Sequence, residues 1–144
     1  MIIVTLVALS LVAATVLVHV VGLLLLIRWM MARRETLPVN FWPVTWLFVR
    51  LVWALLLIHS AEVAIWAFFY RWQGGMPDLE SAAYFSGVTY TTVGYGDLLL
   101  QPPWRILAPV EGLTGIVMSS LSAAFFFAVM TRVFIAGRER GKST

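Results

Sequence analysis

Three long apolar blocks dominate the hydrophobic pattern of the chain. They run from Ile2 to Ile27, from Val52 to Tyr70 and from Ile106 to Ile135. None carries the broad polar face of an amphipathic surface helix, and each has about the 20 mostly apolar residues that a helix needs to cross a bilayer. The pattern therefore predicts an all-α membrane protein with three transmembrane helices, the first of them a retained helix and not a cleaved signal.

A shorter helix is predicted between the second and third blocks. Residues 73–75 are Gln-Gly-Gly and end the second helix, and Asp78 is a good N-cap for a helix from Leu79 to about Thr91, which is too short to span. The stretch Thr92 to Asp97 has no helical pattern, and Pro102 begins the last helix. Irregular backbone at membrane depth is tolerated only inside protein or beside a water-filled pathway. The order favours a re-entrant pore helix followed by a pore-lining loop.

Composition narrows the function classes. Hydrophobic residues make up 61% of the 144 positions and charged residues 12%, so no polar stretch approaches the roughly 50 residues of a small soluble domain. No phosphate-binding loop, metal cluster or nucleophile constellation is present, and cysteine is absent. We therefore expect no enzyme and no cofactor. The net charge of +3 needs no nucleic-acid partner, because basic residues near anionic headgroups explain it.

The distribution of basic residues predicts the orientation, since arginine and lysine near helix ends stay on the cytoplasmic side. Only Arg71 and Arg105 flank the segment between the second and third blocks. We expect that segment and the N-terminus outside the cell, and the C-terminus in the cytoplasm. The basic residues on the predicted inner side are Arg28, Arg33, Arg34 and Arg50 around the first connection, and Arg132, Arg138, Arg140 and Lys142 near the end.

One short motif, between the short helix and the last helix, indicates a specific function. The residues from Thr91 to Asp97 read TTVGYGD, which resembles the signature of tetrameric potassium channels. The order of helix, short helix, signature and helix, over about Val44 to Gly137, is similar to the pore module of bacterial two-helix channels, with one extra N-terminal helix here. The resemblance implies passive, selective potassium permeation by a fourfold symmetric homotetramer in a lipid bilayer, here the cell membrane, expected to be a bacterial inner membrane.

The resemblance also implies a selectivity filter in which potassium is held by backbone carbonyls of Thr92, Val93, Gly94 and Tyr95, with Gly96 completing the loop. Carbonyls of an ordinary strand alternate in direction, so a one-sided row needs unusual φ at alternate residues, which glycine reaches most easily. The side chains of Val93 and Tyr95 are expected to turn outward against the short helix.

Several residues are predicted to support the filter. Tyr84 and Phe85 are placed to form a cuff around it. In some relatives an acidic residue four positions before the filter threonine bonds the aspartate after the filter. Val88 stands at that position here, so that bond to Asp97 is predicted to be absent.

Two carboxylates inside the spans, Glu62 and Glu111, need partners at such depth. We predict that they brace the short helix through hydroxyls, for which the candidates are Ser86, Thr89 and Tyr90. His59 lies one turn from Glu62, and proton sensing by that pair is a second hypothesis beside bracing. His19 is expected to be a packing residue.

The last helix offers a candidate gate. Gly115 is either a hinge or, like Gly112, a site of close helix packing. Ser119 and Ser122 are predicted to line a wet cavity, with Phe126 or its neighbour Phe125 as a hydrophobic constriction. Serines that bond back to their own helix are the alternative.

The predicted division is an extra helix (1–34), a cytoplasmic connection (35–50), the pore module (51–137) and a basic cytoplasmic tail (138–144). Two other function classes remain open: a nonconducting accessory subunit that modulates another channel, and the pore part of an uptake transporter. The single intact filter disfavours the transporter. No span carries a regular arginine repeat, so voltage sensing is not expected, while constitutive, lipid, pH or tension control all stay possible.

Overall fold

A computed structural model describes residues 1–32 and 40–141, and this part of the chain is helical and contains no strand. Its spanning candidates are the first two long helices and the run Trp104–Ile135, each long and apolar enough to cross a membrane. The predicted all-helical membrane fold with three such helices is confirmed. The elements are α1 (Ile2–Ala32), α2 (Phe41–Trp72), α3 (Leu79–Tyr90), a short 3₁₀ helix (Trp104–Ile106) and α4 (Leu107–Gly141).

The ends of α2 and α3 follow the local chemistry of the sequence. Gly74 adopts a φ of 69° just after α2, where a side chain would strain the backbone. Asp78 is the N-cap of α3, and its Oδ1 accepts a hydrogen bond of 2.7 Å from the backbone N–H of Ser81. This bond lowers the pKa of the Asp78 carboxyl below its usual value. Arg33, Arg34 and Lys142 lie outside the described residues, as do residues 35–39 of the predicted connection. From Phe41 onward the predicted connection is the first part of α2.

The hydrophobic core lies in one half of the bundle, around α3. It joins Val4 of α1 to Trp66 of α2, Phe85 of α3 and Leu107 of α4. The start of α1 therefore lies at the same end of the bundle as the segment between α2 and α4. At the opposite end, Ile27, Met30 and Met31 of α1 line a cavity of about 420 Å³ together with Phe125, Ala128, Val129 and Arg132 of α4.

One stripe of α1 packs against the rest of the molecule. Its buried residues are Val4, Leu11, Thr15 and His19, spaced by about one or two helical turns. Thr15 Oγ1 accepts a hydrogen bond of 3.0 Å from Trp66 Nε1. The expectation that His19 is only a packing residue is wrong, because its Nδ1 lies 2.8 Å from a carboxylate oxygen of Glu62.

Candidate pore site

The irregular segment after α3 has an alternating backbone. Thr92, Gly94 and Gly96 adopt positive φ values of 62°, 59° and 77°. Glycine reaches this region readily, whereas a threonine there is unusual. The sequence did not predict a positive φ at Thr92, because β-branched residues rarely adopt one.

This segment is exposed on the single chain from Thr91 to Asp97. Val93 is 53% exposed and Tyr95 is 71% exposed, so within one chain their side chains do not have the packing predicted for them. A groove of about 310 Å³ runs beside the segment. It is lined by α3 and α4 residues as well as by the segment itself, among them Val88, Thr89, Gly94, Pro109 and Gly112.

The C-terminal end of the segment is tied to α3 through Tyr84. Its hydroxyl donates a hydrogen bond of 2.8 Å to Asp97 Oδ2, and this bond raises the pKa of the Tyr84 hydroxyl. Asp97 thus has a partner on α3 even though position 88 is valine. Phe85 points elsewhere, into the core, where its ring packs edge-on against that of Tyr70 at 5.3 Å between centroids.

Glu111 is fully buried and joins three helices. Tyr70 of α2 donates a hydrogen bond of 2.7 Å to Glu111 Oε2, and Ser86 of α3 donates to Oε1. Each carboxylate oxygen therefore has a hydroxyl donor from a different helix. Ser86 was among the predicted partners, whereas Tyr70 was missed because only hydroxyls of the short helix had been considered.

Glu62 is likewise fully buried and receives partners from three helices. Tyr90, the last residue of α3, donates to Glu62 Oε2. His59 Nδ1 lies 3.2 Å from Oε2, and His19 Nδ1 lies 2.8 Å from Oε1. Tyr90 and His59 were both predicted as partners of this carboxylate. Thr89 has no hydrogen bond to either glutamate among the contacts of the described residues.

A match to the family described as ion channel covers residues 56–132, which is more than half of the chain. This chain belongs to the ion channel family. The match starts within α2, ends within α4 and takes in the whole candidate pore, while α1 lies outside it. The channel is accordingly a multi-pass membrane protein that carries ions. Comparison with curated proteins and with solved structures gave no significant match.

Helix α4 of this channel comes close to the backbone of α3 at two glycines. A Cβ built on Gly115 would lie 2.0 Å from the backbone oxygen of Tyr90, and one on Gly112 would lie 3.3 Å from that of Thr89. Close packing, one of the two roles considered for Gly115, is therefore present in the structure. Its other role, as a hinge, stays a prediction.

The side chains of α4 between Ser119 and Phe127 are not arranged as the sequence predicted. Ser122 is only 6% exposed, and its Oγ lies 3.0 Å from His59 Nε2. A side chain buried within its own chain cannot line a passage between chains, so the cavity position predicted for Ser122 is wrong. Phe126 turns toward α2, with its ring 5.2 Å from that of Phe48. The exposed residues of this stretch include Ser119, Ser120 and Phe127.

Proposed function

We propose that this channel conducts potassium ions selectively, through a pore shared by four copies of the chain. The alternation of positive φ at Thr92, Gly94 and Gly96 carries the proposal. An extended strand directs successive carbonyls to opposite sides. Reversing the sign of φ at every second residue is the change that brings the carbonyls onto one side, where they replace the hydration shell of a potassium ion.

The exposure of the segment supports a shared pore. One chain supplies a single row of carbonyls, and a ring around an ion needs equal rows from symmetric copies. The backbone from Thr91 to Asp97 is open on the single chain, as are the side chains of Val93 and Tyr95. In the proposed homotetramer, neighbouring copies cover Val93 and Tyr95, and the bound ions are held by the oxygens of Thr92, Val93, Gly94 and Tyr95.

The proposed orientation places the N-terminus and the filter outside and the C-terminus in the cytoplasm. At the filter end of the bundle, Arg71 and Arg105 flank the connecting segment, while Arg28, Arg50 and Arg132 lie toward the other ends of their helices. Basic residues concentrate on the cytoplasmic side of membrane proteins. The proposed location is the cell membrane, of the bacterial inner-membrane type.

The test is ion flux through purified protein in liposomes. We expect uptake driven by a potassium gradient, little uptake with sodium, and block by barium. A Gly94→Ala channel is the matched control, because a side chain at a φ of 59° strains the carbonyl row without reaching any atom closer than 4.0 Å. It should assemble but lose potassium preference.

The same flux measurement distinguishes a potassium channel from a nonconducting accessory subunit. Equal flux of sodium and potassium through the unaltered channel contradicts potassium selectivity. No flux of either ion, from protein that elutes as a folded assembly, favours a nonconducting accessory subunit. Native mass measurement of the same sample tests the tetramer directly.

A further inference from the structure

Both histidines of the chain meet at one carboxylate inside the bundle. The sequence contains two histidines, and each places its Nδ1 atom within 3.2 Å of an oxygen of Glu62. His19 comes from α1, whereas His59 and Glu62 come from consecutive turns of α2. One donor atom from each of the three residues lies within 4.8 Å of the other two. His59 and Glu62 would be neighbours on any helix, but His19 is 43 residues away from Glu62 in the sequence and reaches it only through the packing of α1 on α2.

We propose that His19, His59 and Glu62 bind one zinc ion per chain. This site lies apart from the potassium pathway and does not rest on the proposed conduction. Two imidazole nitrogens and a carboxylate oxygen are a common set of zinc ligands, held about 2.0 to 2.2 Å from the metal. Tetrahedral donors at that distance lie about 3.3 Å from one another. One donor atom from each residue already lies within 4.8 Å of the other two, so the three side chains need to close in only slightly around an ion.

The hydrogen bonds around His59 orient it for this role. Its Nε2 lies 3.0 Å from Ser122 Oγ, and a ring whose Nε2–H donates to that hydroxyl turns an unprotonated Nδ1 toward Glu62. Metal-bound histidines are usually held in this way through their second nitrogen. An unprotonated Nδ1 facing an ionised oxygen brings lone pairs together, and a cation between them removes the repulsion.

The chemistry of the donors and their depth favour zinc over the ions that a channel conducts. Potassium, sodium and magnesium prefer oxygen ligands, whereas imidazole suits zinc and its neighbours. His19 and Glu62 are fully buried, and no lysine or arginine of the described residues forms an ion pair with Glu62. An ionised carboxylate at this depth is stabilised by a nearby positive charge. His59 retains 20% exposure of its side chain and marks the edge through which an ion enters.

A fourth position is available close by. The Tyr90 hydroxyl lies 2.9 Å from His59 Nδ1, so it or a water molecule can complete the tetrahedral shell. Zinc at this point would tie α1 to α2 next to the last residue of α3. The proposal thus gives α1 a role: it supplies the ligand that the matched pore region, residues 56–132, lacks.

The test uses the full-length channel in detergent, stripped with a chelator and titrated with zinc ions alone by calorimetry. We expect one zinc per chain, and with cobalt as a spectroscopic substitute we expect the intense visible absorption of tetrahedral cobalt. The substitution His19→Gln should weaken zinc binding at least about tenfold. Thr15→Val is the matched control, because it removes the bond to Trp66 in the same buried stripe of α1 but leaves every ligand in place.

Thermal melting decides whether a variant that does not bind is folded. Zinc should raise the melting temperature of the unaltered channel and of Thr15→Val, but not that of His19→Gln. If His19→Gln fails to fold, His59→Gln replaces it, since His59 is partly exposed. Zinc binding by the unaltered channel that is too weak to detect at about 1 mM, or equal binding by the histidine variants, overturns the proposal and leaves a proton as the occupant of the cluster.

Discussion

Gly115 is the residue at which α4 and the end of α3 come into backbone contact. The position that a Cβ would take lies 2.0 Å from the carbonyl oxygen of Tyr90. Tyr90 stands just before the proposed filter, and its hydroxyl bonds Glu62. A displacement at this contact therefore moves both the filter and the buried carboxylate.

A Gly115→Ala channel should be destabilised by about 3 kcal/mol, because backbone atoms must shift to admit the methyl group. We expect a lower melting temperature and loss of potassium flux. Gly87→Ala in α3 is the control: its Cβ meets no atom within 4 Å in the chain, and alanine favours a helix over glycine by about 1 kcal/mol. Equal melting temperatures for the two variants would contradict the contact.

Tyr84 bonds Asp97, the last residue of the proposed filter segment. A Tyr84→Phe channel keeps the ring but loses this bond, so the backbone of residues 95–99 should open more often. We expect hydrogen exchange there to become several-fold faster, with a measurable loss of potassium over sodium preference. Hydrogen exchange in α4 serves as the internal reference. An equal increase in exchange in α4 and in residues 95–99 would contradict a local effect of the Tyr84–Asp97 bond.

At the scale of elements, α3 is fixed at its start by Asp78 and at its end by Tyr90. The hydrogen bond from the backbone N–H of Ser81 lowers the pKa of the Asp78 carboxyl in the folded protein below its usual value. A carboxyl whose pKa is lowered by folding stabilises the protein above its unfolded pKa. That contribution is lost as the pH falls through the folded value.

We therefore expect Asp78→Ala to lower the melting temperature by a few degrees at pH 6. The gap to the unaltered channel should begin to shrink below about pH 4, the usual pKa of an unfolded aspartate, and should shrink further as the pH passes the lower pKa of folded Asp78. Asp78→Asn keeps a capping oxygen and should melt near the unaltered channel at pH 6 while losing this pH dependence. A gap that stays constant down to pH 3 would exclude the cap as its cause.

The sequence predicted the helices well because their signals are local. Long apolar blocks, Asp78 and the glycines after Trp72 mark spans and ends without reference to other parts of the chain. The packed face of α1 could not be read from hydrophobicity, since this helix is apolar all round. Two of its polar residues, Thr15 and His19, lie on the packed face, but Thr5 and Ser10 are exposed, so polarity alone did not identify that face.

Part of the candidate site could be predicted because a carboxylate buried in a membrane helix needs hydrogen-bond or charge partners. Glu62 and Glu111 required partners, and Tyr90 and Ser86 were correctly predicted among them. Ser122 was misplaced because its face was assigned by spacing from Gly115 alone. Which side of α4 meets His59 depends on how the helices cross, and helical periodicity does not contain that information.

At the scale of the whole molecule, the proposed shared pore has a quantitative consequence. In liposomes with equal amounts of unaltered and Gly94→Ala chains, about one-sixteenth of tetramers would contain only unaltered chains. We expect selective potassium flux to fall by about that factor, after co-purification has shown that the two chains assemble together. A fall to about one-half would indicate that each chain conducts alone.

The two oxygens of Glu111 also restrict how this sequence can change over generations. Loss of the carboxylate would leave the buried Tyr70 hydroxyl without its acceptor, whereas Ser86 would keep the backbone oxygen of Val63 at 2.9 Å. Positions 70 and 111 should therefore change together, a substitution at one being tolerated mainly in lineages that already carry a change at the other. Leu113, on the exposed side of the same helix, forms no such bond, so changes there should not depend on positions 70 and 111.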